Sequence, residues 1–126
     1  MNQYAKLIFG LAVASAISAA SVTALLADDD VISEVMKKYH KAPKGTDPVC
    51  KVVSNGEGTK AQLEELLAAY ESIAKEEPPT GDADSWKEKT GALVSSVKDL
   101  QGGKDGALDA YKKAVNCKAC HSEHKP

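Results

Sequence analysis

Two doublets, Pro78-Pro79 and Gly102-Gly103, cut the second half of this 126-residue chain into segments of limited length. Neither doublet continues a helix readily, because proline lacks the amide hydrogen and clashes with the preceding turn, while paired glycines carry a large entropic cost. Around these breaks the apolar residues recur three or four positions apart, and strand-like alternation is absent over any useful length. The pattern predicts an all-α fold.

Four helical stretches follow from periodicity and caps. The first covers about residues 28–41, with Asp28, Asp29 and Asp30 at the positive end of the helix dipole. Its apolar side is Val31, Ile32, Val35, Met36 and Tyr39, and Pro43 and Gly45 end it. A short piece at 47–53 has Pro48 suited to a first helical position and closes at Asn55-Gly56. The second long helix starts at Thr59, boxed with Gln62, and carries Leu63, Leu66, Leu67, Tyr70, Ile73 and Ala74 up to Pro78-Pro79. The third starts at Ser85, boxed with Glu88, and carries Trp86, Leu93, Val94, Val97 and Leu100. The fourth begins near Asp105 and runs into the tail, with Ala107, Tyr111, Ala114 and Cys117 along one face. Short links make consecutive helices antiparallel, so the expected architecture is an up-down-up-down four-helix bundle.

The N-terminal segment reads as a secretory leader: one Lys, then an apolar run over residues 7–20, then small residues, with cleavage preferred near Ala27. An uncleaved anchor is the rival, since residues 7–27 are long enough to span a bilayer, but Ser and Ala dominate them. Residues 28–126 then form a single small domain. Exported, and in many organisms periplasmic, is the expected location. The chain has 16 Lys against 18 Asp and Glu, no Arg, and a net charge of −2. That balance excludes an ordinary nucleic-acid binder, which needs a basic face rich in Arg. A domain this small buries roughly 60–65% of the surface its unfolded chain exposes. With one Trp, and its one Phe inside the leader, it is short of core-forming aromatics. Something other than side chains is expected to complete the core.

The closing sequence, NCKACHSEHKP, concentrates the metal-capable groups: Cys117, Cys120, His121 and His124. Cys117-Lys118-Ala119-Cys120-His121 is C-x-x-C-H, the attachment motif of c-type haem. Residues three and four apart share a helix face, so two thiols can bond to the porphyrin edge while the adjacent imidazole reaches the iron. Zinc would need these four groups to surround one ion tetrahedrally, which a single helical face does not permit. A thioredoxin-like pair belongs at a helix N-terminus, whereas this pair is expected at a C-terminus. A plain disulfide leaves the neighbouring His unexplained. One covalent haem c is the expected cofactor, held by Cys117, Cys120 and His121.

On this motif, and on the four-helix pattern over about residues 28–125, the chain resembles the class II c-type cytochromes, the cytochrome c-prime and cytochrome c-556 group. The resemblance implies a four-helix bundle with haem near the C-terminal end of the last helix. The first helix here is shorter than usual for that group, and an Arg often found in it is absent.

Bundle topology brings the end of the fourth helix beside the first helix and the 76–86 connection, so Trp86 is expected against the haem. For the iron's other face the candidates are Met36, the one Met outside the leader and of the type used by low-spin members of the resembled group, and His40, one turn on. Met36 ranks ahead of His40, with an open site as the third possibility. His124 reads as a solvated tail residue, and Cys50 as a small buried hydrophobe toward the far end of the bundle.

The expected function is one-electron transfer to an unidentified redox partner protein. A five-coordinate c-prime-type module binding NO or CO is the alternative, and a homodimer is open because such bundles often pair. No Ser/His/Asp or paired-carboxylate constellation points to an enzyme.

Overall fold

The computed structural model describes residues 28–126, with side chains from Val31 onward. The expected leader, residues 1–27, lies outside the described residues. Those described form six helices and no strand: α1 (Asp28–Tyr39), α2 (Val49–Ser54), α3 (Lys60–Ala74), α4 (Ala83–Gln101), α5 (Ala107–Ala114) and α6 (Cys117–His124). None of them is long and apolar enough to cross a membrane.

The apolar stripes read from sequence are the faces that bury. Val35 and Tyr39 of α1, Leu66, Tyr70 and Ile73 of α3, Trp86, Leu93 and Val97 of α4, and Tyr111 of α5 share one core, with Val53 of α2 closing its side. Helix α3 packs along α4 and α4 along α5, while α1 lies on α3 and α2 bridges α3 and α5. Thr59 and Gln62 make both halves of the capping box, each bonding the other's backbone N–H. Gly102 caps α4, and Gly103 turns the chain away with φ +64°.

Three boundaries differ from the sequence reading. Helix α3 stops at Ala74, well before Pro78, because its last amides tighten to i−3 partners: Lys75 N–H on Ser72 O and Glu76 N–H on Ile73 O. The freed Glu76 carbonyl then accepts from Trp86 Nε1 at 2.8 Å. Helix α4 starts earlier than expected, since Asp82, not Ser85, is the N-cap, its carboxylate accepting from Ser85 N at 2.8 Å. The Ser85 hydroxyl is used elsewhere, on Glu123.

The third difference matters most for the site. The expected fourth helix is two helices, broken at Val115-Asn116. Val115 leaves the helical region (φ −80°, ψ 16°), and Asn116, extended, caps α6 by accepting from Ala119 N at 3.1 Å. The haem-type motif therefore opens its own short helix instead of ending a long one.

Candidate functional site

The break at Asn116 puts Cys117 at the first position of α6, exposed, and carries Cys120 inward until it packs against the core. The expectation that this cysteine pair sits at a helix C-terminus is thus corrected. It sits at an N-terminus, so position along a helix no longer argues against thiol chemistry there. Cys117, Cys120 and Cys50 are all free thiols. Burial raises the Cys120 thiol pKa, with Lys89 partly offsetting it.

Cys117, Cys120 and His121 line a cavity of about 450 Å³, within the roughly 300–1,000 Å³ typical of small-molecule and cofactor sites. Its walls are mostly apolar. Ile32 and Met36 come from α1, Ile73 from α3, and Trp86 and Leu93 from α4. His40, just past the end of α1, also lines it. Every residue that sequence reasoning nominated (Met36, His40, Trp86, Cys117, Cys120 and His121) therefore borders one space.

His40 is anchored there. Its Nε2 lies 3.2 Å from the Tyr70 hydroxyl, and the two rings tilt against each other with centroids 5.7 Å apart. Burial, with a smaller contribution from nearby His121, pulls its pKa down to about 4. The ring is thus neutral near pH 7, with a lone pair available. Behind it, Tyr70 is 3.4 Å from the Tyr111 hydroxyl, which donates to Cys50 O at 3.2 Å. Burial raises both phenols, Tyr111 to about 12, so neither ionises near neutrality. Sequence reasoning placed Tyr70 and Tyr111 on core faces but carried no sign of this polar chain, because it links residues from three helices.

Cys50 is buried, as expected, and burial raises its thiol. The Cys117 thiol adds to that rise.

His124 overturns a second expectation. It is only 3% exposed, not a solvated tail. Its Nδ1–H donates to Thr80 O at 2.9 Å, and its Nε2 lies 3.3 Å from Ser85 Oγ. Glu123 beside it accepts from Ser85 Oγ and Lys89 Nζ, while Thr80 Oγ1 donates to Glu123 O. These bonds hold the Glu123 carboxyl below its usual range, the Lys89 ammonium contributing most. Together they clasp the end of α6 to the start of α4. Both His124 nitrogens are thus engaged by protein partners. Among the described residues no three of His, Cys, Asp and Glu converge as metal ligands.

No family model matches the chain, and neither a curated protein nor a solved structure matches it. The site stands on its own chemistry.

Proposed function

We propose that this chain is an exported monohaem c-type cytochrome that carries single electrons. In this reading residues 1–27 are a cleaved leader, and residues 28–126 hold one haem c bound through Cys117 and Cys120, with His121 as an axial ligand. The helices α1, α3, α4 and the α5–α6 pair make the up-down-up-down bundle, and α2 is an insertion at its side.

One observation carries the reading: the C-x-x-C-H residues share a single, largely apolar cavity with Met36, His40 and Trp86, which lie at least 31 positions earlier in the chain. The C-x-x-C-H spacing does not by itself require those partners. The donor set also suits the group. Two free thiols one helical turn apart give two thioether anchors, and an adjacent imidazole gives a nitrogen ligand.

When bound, the haem supplies an iron that alternates between ferrous and ferric. The protein's own residues do the rest. Cys117 and Cys120 fix the cofactor so that it cannot dissociate into the export compartment. Ile32, Ile73, Trp86 and Leu93 keep water from the inner wall and lower the local dielectric. Trp86 is held rigid for this by its bond to Glu76 O. The exposed Cys117 and His121 leave one edge of the site at the surface, where electrons can pass to a redox partner protein.

Optical spectra of the purified, matured protein test the reading. Low-spin bands in both oxidation states, with slow or no CO uptake by the ferrous form, are expected. Rapid CO binding without ligand displacement would instead make it a five-coordinate gas-binding module.

A further inference from the structure

The polar chain behind His40 fixes more than the position of its ring. Cys50 O can only accept, and each phenol carries one proton. Tyr111 donates its proton to Cys50 O, so where the 3.4 Å Tyr70–Tyr111 contact is a hydrogen bond it uses the Tyr70 proton. In that arrangement the His40–Tyr70 contact has His40 Nε2–H donating to the phenol oxygen. A neutral imidazole has one N–H, which leaves Nδ1 as a bare lone pair. Among the described residues no group bonds that nitrogen. It belongs to a residue that lines the cavity.

Met36, one turn back on α1, also lines the cavity, but it packs against the core and its thioether has no anchor. Histidines that bind metals commonly donate their other ring N–H to a fixed acceptor, which sets tautomer and orientation. His40 Nε2 has such a partner within reach, the Tyr70 hydroxyl at 3.2 Å.

We propose that His40, through Nδ1, would be the second protein ligand of the haem iron besides His121, and that Tyr70 is the residue that positions it. This rests on the haem reading above and reverses the order that sequence alone suggests for Met36 and His40.

The test uses the full, matured, haem-bearing protein. In the ferrous state, ¹⁵N-histidine NMR should show His40 with an iron-bound Nδ1 and a protonated Nε2. The variant Met36→Leu should stay low-spin in both oxidation states, whereas His40→Ala should become high-spin and bind CO rapidly. Tyr70→Phe should remain low-spin yet let CO displace His40 about 10–100-fold more readily, the usual scale for losing an outer partner of a metal ligand. A purely structural Tyr70 would leave CO displacement unchanged, and that result removes its positioning role. A free or Nε2-bound His40 in the NMR spectrum, or loss of low-spin character in Met36→Leu alone, overturns the inference and leaves the haem reading standing. A matured protein without haem overturns both.

Discussion

The ring of His124 stands edge-on to the indole of Trp86, with centroids 5.2 Å apart and planes at 73°. The pair joins the last residues of the chain to the first turn of α4, and both rings line the cavity. A tail that looks free in sequence is thus a structural wall of the site.

His124→Ala should therefore lower stability by about 2–3 kcal/mol, from lost aromatic packing and from the Thr80 carbonyl left unpaired. Denaturant titration of the haem-bearing protein measures it. A change below about 0.5 kcal/mol would mean that the clasp is not formed in solution.

Gly81 gives an independent check on the same clasp. Its φ is +86°, and a Cβ there would fall 2.7 Å from Glu123 O and 2.9 Å from His124 Nδ1. Gly81→Ala should cost about 2–4 kcal/mol, combining left-handed strain with displacement of the tail. Gly103 has φ +64° with nothing within 4 Å, so Gly103→Ala should cost only about 1–2 kcal/mol. Equal midpoint shifts in parallel melts would argue that Gly81 does not meet the tail.

Trp86 is 4% exposed, bonds Glu76 O and forms part of the cavity wall. Trp86→Ala should cost about 3–5 kcal/mol, and Trp86→Phe clearly less. In the haem-bearing protein the Ala variant should also broaden and shift the haem absorption bands. Unchanged bands would place the cofactor away from this wall.

Tyr111→Phe removes the bond to Cys50 O, but that carbonyl keeps Ser54 Oγ at 2.9 Å. The cost should be modest, about 1 kcal/mol, because no buried acceptor is left bare. A loss beyond 3 kcal/mol in urea unfolding would contradict this account of the polar chain.

Most of the fold was legible because local signals and tertiary packing agree over α1, α3 and α4. The stripe Leu66–Tyr70–Ile73 buries as its spacing implies, and the Thr59–Gln62 box forms in full. Met36, His40 and Trp86 were named from sequence on the expectation that helix ends distant in the chain meet, and they line the cavity with Cys117, Cys120 and His121. The break at Asn116 was missed although its signal was present: an N-cap residue directly before Cys117. Helical spacing on either side masked it. Asp82 and Ser85 both fit a cap, and the choice depends on Glu123, which takes the Ser85 hydroxyl from 38 residues away. His124 and the Tyr70–Tyr111–Cys50 chain depend wholly on such long-range partners. No local pattern encodes them.

The central claim is a haem covalently bound at Cys117 and Cys120. Intact mass spectrometry of the exported, matured protein tests it most directly, with alkylation to count free thiols. The account predicts a mass above that of the processed polypeptide by one haem, with Cys50 as the one thiol that alkylates after unfolding. A mass equal to the polypeptide alone, with Cys117 and Cys120 both alkylated, would contradict it.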